Sequence, residues 1–248
     1  MTRDGARGEA PPTTIDSVVA TGRGDDGSTG LLFGGPRIQK DDPRTEAYGT
    51  VDEAVAALGL ARAELGTKDQ YGVLNPSLAE IGAVILRIQR ELFVVGAELA
   101  TTPDAWARLE DGRTRVSTGM VAGLTGLLED LERRIVMPRE FVVPGETRTS
   151  AALELARTIL RRAERRAVTL EREGLLPGAH LLPYLNRLAD LVWVLARAAE
   201  QAEARTSTPA RTERRRRTSS GPAATTDHRP PTPAPTTRTG TQRGAQTR

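Results

Sequence analysis

The chain of 248 residues contains no cysteine and two histidines. The first absence removes disulfides, zinc ribbons, iron-sulfur ligation and thiol catalysis together, and the second leaves too few imidazoles for a His-rich transition-metal site. Any catalysis has to run without them. Aromatics amount to 3%, whereas hydrophobic residues reach 38% and are mostly Ala, Leu and Val. That balance suits an aliphatic helical core rather than a β-sandwich. Residues 1–16 lack the apolar stretch of a signal peptide, and no run approaches the roughly 18 apolar residues of a membrane span. A cytoplasmic protein without a membrane segment is therefore expected.

Lysine is also scarce, with Lys40 and Lys68 alone among 35 Lys and Arg. The formal charge of +3 conceals a strong asymmetry. Residues 201–248 carry ten Arg against Glu203, Glu213 and Asp227, while the first 200 residues hold 25 basic and 29 acidic side chains. The folded part is thus mildly acidic, and nucleic acid would be attracted only nonspecifically, through the tail.

Composition divides the chain into three. Residues 1–16 form a polar N-terminal tail, residues 17–205 a folded body, and residues 206–248 a tail of Pro, Thr, Arg, Gly and Ser. Such a tail has too little apolar surface to repay the entropy of folding and is expected to be disordered. Within the body, apolar spacing predicts helices over about 44–65, 77–100, 117–137, 149–173 and 182–204, with no competing strand pattern. Their short connections favour antiparallel neighbours, giving an all-α five-helix bundle.

Three segments carry chemistry. Thr21 to Gly35 reads TGRGDDGSTGLLFGG, followed by Arg37 and Lys40. Six glycines, two acids, three hydroxyls and nearby cations suit a backbone that wraps phosphates, with Asp25 or Asp26 placed to assist a magnesium ion. The Gly-Lys-Ser/Thr ending of a P-loop is missing, and a plain Gly-rich linker fits the composition equally. In the fourth helix Arg157, Arg161 and Glu164 fall within an arc of roughly 60°, beside an apolar arc of Leu153, Ala156, Leu160, Ala163, Ala167 and Leu170. This stripe is placed to face a cleft or another subunit, although a surface i, i+4 network has the same spacing. In the fifth helix Asn186, Asp190, Trp193 and Arg197 repeat the pattern opposite a Leu-rich face. Asp52, in GTVDE, is placed to cap or start the first helix.

Taken together, the blocks GDDGSTGLL, KDDPRTEAYGTVDE, IQRELFVVGAELA, FVVPGETRTSAALELARTILRRAERR and YLNRLADLVWVLAR resemble the PduO-type ATP:cob(I)alamin adenosyltransferases in order and spacing. The resemblance covers roughly Thr21 to Arg197. It implies a five-helix bundle assembled as a homotrimer, with ATP and cobalamin held between neighbouring subunits. It further implies that cob(I)alamin attacks C5′ of ATP, releasing triphosphate and leaving adenosylcobalamin.

By the same resemblance, Thr21, Gly22, Arg23, Gly24, Asp25, Gly27, Thr29 and Lys40 hold the triphosphate with Mg²⁺, and Arg161, Glu164 and Asn186 complete the ATP site. Arg157 resembles the arginine that pairs across the subunit interface with an aspartate, here Asp52, so that Asp52, Arg157 and Arg161 form the catalytic set. Phe141 matches the aromatic beneath the corrin, where it keeps the lower cobalt face free of ligand. The implied partners are a flavin-dependent cobalamin reductase and a B12-dependent mutase or dehydratase. The chain departs from the pattern in three places. The loop cation is displaced to Arg23 with Gly22 before it, Glu154 stands where a histidine is common, and Glu146 stands where a second glycine is common. The loop change favours an alternative in which the same fold is a non-catalytic cobalamin carrier.

Overall fold

The computed structural model describes residues 17, 19–65 and 75–211. Five α-helices dominate: α1 (Pro43–Leu65), α2 (Pro76–Leu99), α3 (Thr118–Arg134), α4 (Arg148–Arg172) and α5 (Leu181–Ala202), with a 3₁₀ helix at Pro103–Arg108 between α2 and α3. Their starts are written in the sequence. Asn75 accepts from Ser77 N–H ahead of Pro76, Ser117 accepts from Met120 N–H, and Thr147 and Ser150 cap each other's backbone at the start of α4. Each arrangement satisfies amide groups that a first helical turn leaves without partners.

α1 packs against α4 and α2, α4 against α5, and α3 against α5. The α1 and α4 faces are rich in alanine, with Ala47, Ala54 and Ala61 meeting a helix that buries Ala156, Ala163 and Ala167. Small side chains let two backbones approach closely. Larger residues fill the remaining core, chiefly Ile81, Ile85, Ile88 and Leu92 from α2 and Leu185, Leu188, Leu191 and Leu195 from α5. Burial of these side chains, at about 25 cal/mol per Å² of apolar surface, is the main term holding the bundle together.

Two buried ionisable side chains tie the helix ends to the loops. Arg44, at the start of α1, donates through Nη1 to the carbonyl oxygens of Leu99 (2.7 Å) and Thr101 (2.9 Å) and through Nη2 to Leu175 (3.1 Å). It thereby serves carbonyls at the end of α2 and in the turn before α5. Glu98 is fully buried and accepts from Val116 N–H at 2.7 Å. Its other oxygen has no hydrogen-bond partner and faces Gly178, where an added Cβ would stand 2.9 Å away. A larger residue at 178 would force the buried Glu98 carboxyl to shift.

Three features differ from the sequence expectation. α3 stops at Arg134, not near Met137, with Ile135 as its extended C-cap. Four two-residue strands also occur: β1 (Ser28–Thr29) pairs antiparallel with β2 (Ile38–Gln39), and β3 (Val142–Val143) with β4 (Thr208–Pro209). Ladders this short carry no readable alternation. Finally, β4 lies within the segment assigned to the C-terminal tail from residue 206, so residues 206–211 belong with the bundle. Pairing supplies what their composition cannot: Ala210 N–H donates to the Phe141 carbonyl at 2.7 Å and the Ser207 hydroxyl to Glu200. The N-terminal tail at 1–16 and the remainder of the C-terminal tail from residue 212 lie outside the described residues. No helix among the described residues is long and apolar enough to cross a membrane.

Candidate functional site

The Gly-rich loop is held by its own side chains. Asp26 Oδ1 accepts from the Ser28 amide (2.9 Å) and the Ser28 hydroxyl (2.7 Å), and these bonds, led by the amide, hold its carboxyl below the usual carboxylate range. Arg37 reaches back across the β1–β2 pair, with Nε donating to Ser28 Oγ at 2.7 Å and Nη2 to the carbonyls of Arg23 (2.6 Å) and Ser28 (2.9 Å). Lys40 Nζ donates to the Gly24 carbonyl at 2.7 Å, and Lys40 N–H to that of Gly27 at 2.9 Å. Gly27 has φ +82° in this turn, a conformation that L side chains rarely adopt. At Gly24 an added Cβ would stand 3.0 Å from Lys40 Nζ and 3.3 Å from the Ser28 carbonyl. Thus Gly22, Gly24, Gly27, Thr29 and Lys40 belong to one folded turn, with Thr21, Arg23 and Asp25 exposed on it. Its far end is anchored by Leu32 N–H on the Ala100 carbonyl, at 2.9 Å.

A second group forms between α4 and α5. Arg157 and Arg161 line a pocket of about 270 Å³ with Asp190, Trp193, Leu128 and Glu132. Beside them Asn186 Nδ2 donates to Glu164 Oε1 at 3.1 Å. The two polar stripes of the sequence therefore meet. Arg162 and Arg166 instead face α1, pairing with Glu53 and Glu46. Trp193 also lines a larger pocket of about 470 Å³ with Pro138, Arg139, Glu140, Phe141, Ala210 and Arg211. Phe141 is 89% exposed, so its ring is open to contact from outside this chain.

Asp52 lies elsewhere. It is exposed on α1 and lines a groove of about 440 Å³ with Leu32, Tyr48, Phe93 and Gly96, a groove that shares no lining residue with the Arg157 pocket. Within this chain Arg157 pairs instead with Glu154, Nε to Oε2, at 2.7 Å. Among the described residues no hydrogen bond or ion pair links the Gly-rich loop to Arg157, Arg161, Glu164 or Asn186. The candidate residues thus fall into two separate groups, one on the loop and α1 and one on α4 and α5.

Several residues at these places carried little signal in the sequence. Arg37 was visible only as a cation near the loop, and nothing in its spacing marks it as the group that holds the turn. Arg197 was grouped with the polar stripe of α5, yet it is completely buried and engaged with Glu154 and Glu200. No cluster of three or more His, Asp or Glu able to hold a metal occurs among the described residues. Residues 19–199 match the family model for cobalamin adenosyltransferase, well over half of the chain. The chain belongs to the cobalamin adenosyltransferase family.

Relatives within the family match this chain over most of its length. The chain is 37% identical over 182 residues to a corrinoid adenosyltransferase of Citrobacter freundii, covering 73% of this chain and 94% of that one. It is 36% identical over 184 residues to the corrinoid adenosyltransferase PduO of the same organism, covering 74% of this chain but spanning about half (50%) of that longer protein. Among solved structures it resembles a variant PduO-type ATP:corrinoid adenosyltransferase from Lactobacillus reuteri complexed with cobalamin and ATP. The TM-score is 0.66 at 29% identity, covering 77% of this chain and 98% of that one. The departures at Gly22–Arg23, Glu146 and Glu154 sit inside this cobalamin adenosyltransferase region.

Proposed function

We propose that this chain transfers the 5′-deoxyadenosyl group of ATP to the cobalt of cob(I)alamin in the cytoplasm, forming adenosylcobalamin and releasing triphosphate. The observation that carries this reading is Trp193, which lines both the Arg157–Arg161 pocket and the Phe141 pocket. A recess in which Arg157 and Arg161 stand with Glu132 and Asp190, able to offer guanidinium donors to a nucleotide, thereby adjoins a largely apolar recess with two aromatic rings suited to a flat macrocycle. The cobalt lone pair forms the cobalt–carbon bond as the C5′–oxygen bond breaks, and the bonding pair leaves on triphosphate.

Because cob(I) is itself the nucleophile, the protein has no nucleophile to supply. Its work is alignment of cobalt with C5′ and stabilisation of charge on the departing triphosphate. The loop from Thr21 to Thr29 and Lys40 would hold the phosphates. Arg161, with the Asn186–Glu164 pair, would complete the ATP site, its guanidinium facing the charge that develops on the departing triphosphate. Mg²⁺ supplies charge neutralisation on the phosphates, and the exposed Asp25 is the loop carboxylate free to face it. Phe141 would cover the lower corrin face and exclude water or a base from cobalt.

The separation of the two groups supports reading them as half-sites of a homotrimer, with the loop and Asp52 of one chain opposite Arg157 and Arg161 of the next. The test is direct. Anaerobic mixing with chemically reduced cobalamin and MgATP should convert the cob(I) spectrum to that of adenosylcobalamin; tight binding without conversion would instead indicate a carrier. Mixing the impaired Asp52→Asn and Arg157→Ala proteins should raise activity above that of either alone, because some interfaces in mixed trimers then hold two intact half-sites. No recovery would refute the shared site.

A further inference from the structure

A line of charged side chains runs through the α4–α5 seam. Arg157 Nε donates to Glu154 Oε2 at 2.7 Å, and Glu154 Oε1 lies 3.3 Å from Arg197 Nη1. Arg197 Nη2 in turn donates to Glu200 Oε1 at 2.7 Å, and Glu200 Oε2 accepts from the Ser207 hydroxyl. Side-chain exposure is 26% at Arg157 but only 5% at Glu154, 0% at Arg197 and 1% at Glu200. Two arginines and two glutamates balance formally, yet the burial is not that of an optimised stabilising pair, since Arg197 Nε and Nη1 have no hydrogen-bond partner. Buried charges of this kind are a costly way to gain stability alone.

The arrangement does have a directional result. Arg157 is the one member that lines the pocket, and the network uses its Nε, leaving Nη1 and Nη2 without a partner among the described residues. The far end reaches β4, whose partner strand β3 directly follows Phe141. The middle member, Arg197, stands 5.5 Å from the centre of the Trp193 ring, which lies between the two pockets.

We propose that Glu154 is a positioning residue that aims the Arg157 guanidinium into the pocket, and that Arg197, Glu200 and Ser207 couple this aim to the placement of Phe141 through the β3–β4 pair. The carboxylate at 154, where the family commonly has histidine, is then not a loss of function in this chain but its own means of holding Arg157. The inference rests on the adenosyltransferase reading.

A double-mutant cycle tests it. Turnover, both Michaelis constants and hydroxocobalamin affinity are measured for wild type, Glu154→Gln, Arg157→Ala and the double variant. Glu154→Gln is expected to lower turnover about tenfold or more in the presence of Arg157 and less than about twofold in the Arg157→Ala background, because groups acting through one another are not additive. Losses that multiply would overturn the proposal. Should Glu154→Gln fail to fold, Ser207→Ala decides, since it changes no charge. It is expected to weaken hydroxocobalamin binding about threefold or more while leaving the ATP Michaelis constant unchanged, and unaltered binding would overturn the coupling. A wild-type protein that forms no adenosylcobalamin would strike the proposed function itself, whereas an active wild type with multiplying losses strikes only the network.

Discussion

Asn186 Nδ2 lies 3.1 Å from Glu164 Oε1 and donates to it across the α4–α5 seam, so the polar stripe of one helix is fixed against that of the other. Arg161, almost one turn before Glu164, lines the pocket beside this bond. Arg165, one residue after Glu164, donates instead to the Arg161 carbonyl from the exposed side of the helix.

Arg161→Ala should therefore reduce adenosylation about 100-fold, the usual scale for removing one preorganised donor from a developing anion. Arg165→Ala should leave it within about twofold, as is usual for surface substitutions. Steady-state turnover of both variants checks the assignment, and equal losses would mean that the pocket is not where phosphate charge is stabilised.

Phe141→Ala should lower turnover about tenfold while leaving the ATP Michaelis constant unchanged, since an interaction made only on the corrin side affects one substrate. With cob(II)alamin and ATP, the wild type should give a four-coordinate cobalt signal by electron paramagnetic resonance that the variant lacks. A variant altered only in its use of ATP would move Phe141 to the nucleotide.

Burial pushes the Glu98 carboxyl up to about 7 from 4.5, against the opposing pull of Val116 N–H and Arg115; Asp111 pushes in the same direction as burial. The folded chain thus holds this proton more tightly than the unfolded chain. The stabilisation is complete below about pH 4.5 and is lost as pH rises to about 7, a change on the order of 3 kcal/mol. Glu98→Gln removes the titration. In urea unfolding across pH 5 to 8, the variant should gain on the wild type as pH rises, and a constant difference would show that Glu98 is ionised throughout.

The C-terminal segment divides at Arg211. Ending the chain there keeps Ser207 and the β3–β4 pair, and removes most of the basic excess, so adenosylation should remain within about twofold. Ending it at Arg205 removes the strand beside Phe141 and should impair cobalamin binding. Titration of both truncated proteins with hydroxocobalamin at fixed salt separates the two cases, and equal affinities would make β4 dispensable.

Much of the bundle was legible because helical periodicity encodes burial directly. Leu153, Ala156, Leu160, Ala163, Ala167 and Leu170, read as one apolar arc, are each buried along α4. The same periodicity misreads Arg197. Its spacing matches the α5 stripe, but its depth depends on Glu154 in another helix, and no local pattern encodes a pairing across 43 positions. Arg162 and Arg166 pair with Glu53 and Glu46, away from the pocket that Arg157 and Arg161 line, and helical angle alone separates the two sides. Strand β4 was invisible, since two residues in a Pro- and Thr-rich segment order only when β3 is already in place. The proposed roles of Asp52 and Phe141 came from resemblance, as nothing in the spacing of one aspartate or one exposed aromatic indicates a ligand.

The Gly-rich turn has one more consequence. Arg37 and Lys40 already hold the carbonyls of Arg23, Gly24 and Ser28, so much of this backbone's freedom is surrendered during folding, not when nucleotide arrives. Capture of a triphosphate would then require Lys40 Nζ to exchange a carbonyl for a phosphate oxygen, a swing of one side chain rather than the ordering of a loop. Binding of this kind has a small entropic penalty. Its association rate should follow ionic strength, through attraction of the anion to the loop cations, far more than it follows any slow conformational step of the protein.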